Sequence, residues 1–221
     1  MQFDAVTIEM LKEGVWQTLY MVFMSSVVSY LIGVPVGIAL MVTDKDGICP
    51  IPFFNKVLGL VINLLRSVPF LILMIMVIPF TRLVVGKVIG PNAAVVPLII
   101  AAAPYIGRMV ESSLKEVDAG VIEAAKSMGA SNWQIIWKVL LPEAKPSLLV
   151  GAAISITTIL GYSAMAGAVG AGGLGDIAIR YGYHRYQTDM MMVTVILLVI
   201  IVQLIQEVFM RMSRKSDKRV R

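Results

Sequence analysis

Two stretches of this chain, Gly14–Thr43 and Pro146–Gly175, each run for thirty residues without a charged side chain. A helix needs about 20 apolar residues to cross the hydrocarbon core of a bilayer, and either run is long enough. Three more segments qualify. Val57–Phe80 is charged only at Arg66, Val88–Gly107 is uncharged, and Met190–Gln206 is strongly apolar and extends to Met210. In lipid, backbone polar groups must be satisfied within each segment, so such runs become helices. The reading is an all-α polytopic membrane protein. It forms a single domain over residues 1–221, with five spans near 14–43, 57–80, 88–107, 146–175 and 190–210. The third span carries three prolines: Pro91 is expected at its start, with kinks at Pro97 and Pro104. Composition agrees, since 58% of residues are hydrophobic and 15% charged, against about 25% charged in a soluble domain.

Five spans place the termini on opposite sides of the membrane. With the C-terminus inside, the inner segments hold thirteen Lys/Arg, from Lys45 to the six of Arg211–Arg221, and the outer ones hold five. The excess belongs on the cytoplasmic side. The N-terminus is therefore expected outside and the C-terminus inside. A basic tail beside a span, here 211–221, reads as a mark of the inner face that touches anionic lipid, rather than as a nucleic-acid site. The start, MQFDAVTIEMLKEG, lacks a basic region and is not read as a cleavable signal peptide. Cys49 and His184 stand alone in their residue types, so no disulfide forms within the chain and no Cys/His cluster offers a metal site. There is no P-loop and no nucleophile–base pair, so no catalytic site and no cofactor of its own are expected.

On that orientation, the polar connection between the third and fourth spans faces the cytoplasm. Ile122, Ala125 and Met128 recur on one face of a short helix, and Gly129 follows where a helix end favours positive φ. Ser131 is a good N-cap for a second helix. Trp133, Ile136, Trp137 and Leu140 would form its apolar stripe, and Pro142 would close it. One reading of the second helix is an interfacial element with its tryptophans among headgroups. That leaves the first helix and its Gly tip pointing away from lipid, where a soluble partner can grip them.

The spacing Glu123-Ala124-Ala125, Gly129, then Val139-Leu140-Leu141-Pro142 resembles the EAA motif of ABC importer permeases, with Val in place of the usual Ile. Almost the whole chain resembles the permeases of methionine importers in that family. Arg66–Phe70, Ile78–Arg82, Ala103–Tyr105, Arg108–Glu111, Gly161–Met165 and Ala168–Gly175 carry this likeness. The resemblance implies a homodimeric permease in the bacterial inner membrane. It implies two ATP-binding cassette subunits, which bind ATP and magnesium, and an extracytoplasmic methionine-binding protein. It further implies that Glu123, Ala124, Ala125, Met128, Gly129, Ala130, Leu141 and Pro142 couple the permease to the ATPases. An importer for another small amino acid or carboxylate is the alternative within the class. A small channel would need pore-lining rings or a filter, and none is recognisable.

Within the spans, Arg66 has two readings. It either bonds carbonyls freed by Pro69 or faces the pathway. The small residues of the fourth span suit close helix packing or a smooth pathway wall. Among them Met165, with Tyr162 and Ser163 nearby, is a candidate gate, although methionine also serves as filler. Gly33 and Gly37 give a GxxxG spacing. Gly170–Gly175 lacks the Lys-Ser/Thr of a phosphate loop and reads as a flexible turn. It leads to a scoop, Asp176–Asp189, which suits either an external partner or an interfacial aromatic belt.

Overall fold

The computed structural model describes residues 4–216. The last basic positions of the tail, Lys218, Arg219 and Arg221, lie outside the described residues. Helix α1 spans Ala5–Val42 and begins well before the apolar run. The polar start is helical because its side chains pair along one face: Lys12 lies 3.7 Å from Glu9, and Gln17 donates to Glu13 at 2.9 Å.

The span expected over Val57–Phe80 is not one helix. It divides into α2, Pro52–Ser67, and α3, Phe70–Met76, with a bend of 100° at the break. Pro69 is the cause: it has no N–H to donate and pushes Val68 out of helical conformation. The Pro69 carbonyl then starts α3 by accepting from Leu73 at 2.9 Å. Helix α4, Ile78–Val85, follows and ends at Gly86, whose φ of 76° is left-handed.

Helix α5 spans Pro91–Lys115. Pro91 suits the first helical position, and neither Pro97 nor Pro104 breaks the run. After α5 come α6, Ala119–Ser127, and α7, Asn132–Ile135. A π turn, Ile136–Leu140, then leads into α8, Leu141–Glu143. Helix α9, Lys145–Ala166, passes through a 3₁₀ turn, Gly167–Val169, towards α10, Gly173–Ile177. A second π turn, Ala178–Tyr183, precedes α11, Thr188–Ser216. Among the described residues, four helices, α1, α5, α9 with its 3₁₀ turn, and α11, are long and apolar enough to cross a membrane, and the bent pair α2–α3, taken as one span, makes five.

The chain forms two compact units. One comprises Met1–Val28, Val68–Ala102 and Ile156–Gln206. Its core is Met21, Phe70, Met74, Ala94, Leu98, Ala166 and Ala171, and the Tyr162 ring stacks on Phe70 with centroids 4.6 Å apart. In this unit the glycine run is anchored rather than loose. Gly173 N–H donates to Gln17 Oε1 at 2.8 Å and Leu174 N–H to Thr18 Oγ1 at 2.9 Å. A methyl group on Gly167 would lie 2.3 Å from the Asp176 nitrogen, and one on Gly175 would lie 2.3 Å from the Ala164 carbonyl. Close backbone approach accounts for these glycines, and the expected flexible turn is an ordered loop.

The other unit comprises Ser29–Ser67, Ala103–Ser155 and Glu207–Arg221. Here Gly33 of α1 packs on Ile106 and Gly37 on Gly107 and Val110 of α5, the close crossing that small residues permit. Tyr30 and Ser155 share a hydrogen bond of 2.6 Å. Large apolar side chains remain exposed on the helices, among them Phe23, Leu31, Leu60, Leu64, Val199 and Leu204. A hydrocarbon solvent accepts such a surface; water does not.

Candidate coupling segment and pathway

Helix α6 opens on Asp118, whose carboxylate accepts from the Gly120 N–H at 2.7 Å. Its buried side is Ala125, with Ile122 half-buried. Glu123 and Ala124 are exposed, and Met128, expected on the inner stripe, is 82% exposed. Met128 caps the helix end, where side-chain direction leaves the regular face. The end is a Schellman motif: Gly129 N–H donates to Lys126 O at 2.9 Å, and Ala130 N–H to Ala125 O at 3.1 Å. Gly129 has φ of 80°, the conformation its lack of a Cβ allows.

Ser131 then starts α7 with a full capping box. Its hydroxyl accepts from Gln134 N–H at 3.3 Å, and its own N–H donates to Gln134 Oε1 at 2.9 Å. Helix α6 packs on α7 and on the π turn. The inner face of this second arm is Ile135, Ile136 and Leu140, all buried. The expected stripe of Trp133, Ile136, Trp137 and Leu140 is thus only half on the inner face. Trp133 and Trp137 are 69% and 51% exposed and tilt against each other with ring centroids 5.4 Å apart. The π turn brings Ile135 and Leu140, five residues apart, onto the buried side together.

Nor does Pro142 end the arm; it sits in α8. Leu141 N–H donates to Ile136 O, one residue further back than in an α-helix. That widened turn precedes a proline ring that would crowd an ordinary helical carbonyl. Leu141 is half-buried, Pro142 exposed and Ala130 half-buried. The result is a short bent element whose tip and outer side present Met128, Trp133 and Trp137.

Of the pathway candidates, Met165 is 49% exposed and lies on α9 with Gly161, and Ala168 follows in the 3₁₀ turn, both of these exposed. A methyl group on Gly161 would meet nothing within 4 Å, so this face is open. Ser163 is buried and donates to Leu160 O at 2.7 Å, and Tyr162 is occupied by its stack on Phe70. Arg66 is exposed at the end of α2, with its guanidinium carbon 5.7 Å from the centroid of the Tyr105 ring. The proline-freed carbonyl near Leu65 does not define its setting; the aromatic face does. In the scoop, Tyr183 and Tyr186 are exposed, and Arg185 lies over the Tyr181 ring at 4.6 Å. Among the described residues, no group of three His, Cys, Asp or Glu could hold a metal ion.

Residues 33–221 match the model of one family, described as the inner membrane component of binding-protein-dependent transport systems. The chain belongs to that family. It is 50% identical to the probable D-methionine transport system permease protein MetI of Vibrio cholerae over 218 residues, which cover 99% of this chain and 97% of that one. It is 42% identical to the methionine import system permease protein MetP of Bacillus subtilis, covering 98% of each chain. Among solved structures, the MetNI methionine ABC transporter in inward-facing conformations has a chain with a TM-score of 0.95 and 46% identity, covering 97% of this chain and 100% of that one. An amino acid ABC transporter with histidines shares the fold at 19% identity, with a TM-score of 0.77.

In this transport component, sequence reading missed a set of charged contacts at the root of the bent element. The sequence places Arg108 and Lys115 in the inner-side charge excess and Arg108–Glu111 within the family likeness, and gives none of them a contact. In the structure Arg108 Nη1 lies 2.7 Å from Glu111, and Lys115 Nζ lies 2.9 Å from Glu111 and 2.6 Å from Asp44. Arg108 Nη2 also donates to the Gly59 carbonyl at 3.0 Å. The Lys115 ammonium holds the Asp44 carboxyl below the ordinary carboxylate range. The available signal was the placing of Arg108, Glu111 and Lys115 at i, i+3 and i+7, which puts a carboxylate between two cations on one helix face.

Proposed function

We propose that this chain is the membrane-spanning subunit of an ATP-driven importer for methionine, working as a homodimer. Two ATPase subunits bind and hydrolyse ATP, and an extracytoplasmic binding protein delivers the amino acid. The N-terminus lies outside and the C-terminus inside. The observation that carries this reading is the bent element over residues 116–142, with Met128 at its tip, in a chain 46% identical to the MetNI component. The excess of Lys/Arg in the connections on the same side as that element supports the orientation.

The mechanism follows from stiffness. Both arms of the element have satisfied ends: a Schellman motif closes α6 and a capping box opens α7. Glu123, Ala124 and Met128 face outward, where an ATPase groove can take them. Ala124 lets that surface come close, and Gly129 sets the angle between the arms. When ATP draws the two ATPases together, the element moves as a body, and the bundle it is rooted in changes which side it opens to. Nucleotide shifts this equilibrium only through different contacts in the two states, made far from the amino acid. The chain itself supplies binding surfaces and a pathway wall. The open face of Gly161, Met165 and Ala168 is the pathway candidate, with Met165 as a movable plug near the two-fold axis.

Uptake of radiolabelled amino acids into vesicles holding the reconstituted complex tests the substrate. Methionine accumulates only with ATP, the ATPase subunit and the binding protein present. ATP-driven accumulation of a different amino acid, with none of methionine, would replace methionine with the other substrate. Accumulation without ATP would favour a channel.

A further inference from the structure

The bent element joins the bundle at two roots: Lys115, the last residue of α5, and Lys145, the first of α9. A stroke entering at either root moves the other spans only if something ties those roots sideways. The second root has such ties, since Ser213 of α11 donates to Pro146 O at 2.9 Å and Ser147 donates to Ser113 at 3.0 Å. The first root is tied by charge. Glu111 is buried to 7% exposure and sits between Arg108 and Lys115. Arg108 reaches the backbone of α2 at Gly59, and Lys115 reaches Asp44 in the turn after α1.

Resting on the importer reading above, we propose that Glu111 is a positioning residue for coupling: through Arg108 and Lys115 it locks the first root of the bent element to α1 and α2, so that the stroke moves three spans together. Without its charge, Arg108 and Lys115, two turns apart on one face of α5, lose the carboxylate that bridges them. Arg108 Nε is buried with no hydrogen-bond partner, so the guanidinium is then left with the Gly59 carbonyl. Each cation loses its short contact to Glu111, at 2.7 and 2.9 Å, and the ties at both ends loosen. Asp44 and Lys115, at 29% and 47% side-chain exposure, form the wetter end of the chain. Severing that end loosens α1 alone.

The test uses the full complex of permease, ATPase and binding protein in vesicles, reading methionine taken up per ATP hydrolysed. Glu111→Gln should leave the complex assembled and hydrolysing ATP while uptake per ATP falls at least tenfold. Glu111→Asp, which keeps the charge, should restore most of it, and Asp44→Asn should give a smaller loss. If Glu111→Gln does not assemble, the Asp44→Asn and Glu111→Asp variants decide: a loss for the first and near-normal coupling for the second support the lock. Uptake per ATP within twofold of the unaltered complex in Asp44→Asn, or in an assembled Glu111→Gln complex, overturns it. Equal loss in Glu111→Asp and Glu111→Gln also overturns it, because geometry rather than charge would then matter. Failure of the unaltered complex to take up methionine with ATP would sink the importer reading itself, and so is distinguishable from failure of the lock.

Discussion

Lys115 Nζ lies 2.6 Å from Asp44, joining the end of α5 to the turn that follows α1. The Asp44 carboxyl, ordinarily near 3.8, titrates lower in the fold, chiefly because of its hydrogen bond to Lys115. A depressed carboxyl contributes stability that is whole above its unfolded value and is lost as pH falls through its lowered folded value. The tie is therefore intact at neutral pH and disappears in acid below the ordinary Asp range. Thermal unfolding of the detergent-solubilised chain checks this. Asp44→Asn should lower the midpoint at pH 7, and the difference from the unaltered chain should shrink as pH falls below about 4.

Gly37 and Gly107 meet at the α1–α5 crossing, where a methyl group on Gly37 would lie 2.6 Å from the Gly107 carbonyl and 2.6 Å from Val110 Cβ. A carbonyl cannot swing aside as a side-chain tip can. Gly37→Ala should therefore cost about 1–3 kcal/mol, the usual range for overpacking, and Gly37→Leu more. A Gly161→Ala control, at a position with open space, should change the unfolding midpoint little.

Met165 is the long side chain on an otherwise small-residue face of α9. If it plugs the pathway, Met165→Ala should raise leak of methionine or ATP use without uptake. Vesicle flux measured with and without ATP reads both. Transport and coupling equal to the unaltered complex would leave Met165 as packing only.

The all-helical class and the five apolar stretches were legible in the sequence because lipid imposes length and composition directly. The helix–Gly–helix form of the bent element was legible too, since Gly129 and Ser131 are local signals. The register of the second arm was not, because the π turn over Ile136–Leu140 leaves no mark in apolar spacing and puts Ile135 and Leu140, five apart, on the buried side. The break at Pro69 was visible as a proline, but Pro97 and Pro104 leave α5 continuous, so residue type alone does not give the angle. The ion chain around Glu111 was hidden for a different reason: two of its contacts, Asp44 and the Gly59 carbonyl, come from distant parts of the chain.

If the bent element carries the nucleotide-driven stroke, breaking its angle uncouples transport. Paired measurement of ATP hydrolysis and methionine uptake in a Glu123→Ala/Gly129→Pro variant reads this. Gly129 holds φ of 80°, which proline, fixed near −65°, cannot adopt, so the angle between the arms is lost. ATP-dependent uptake should fall to background while the folded permease remains in the membrane. Uptake retained at the level of the unaltered complex would contradict it.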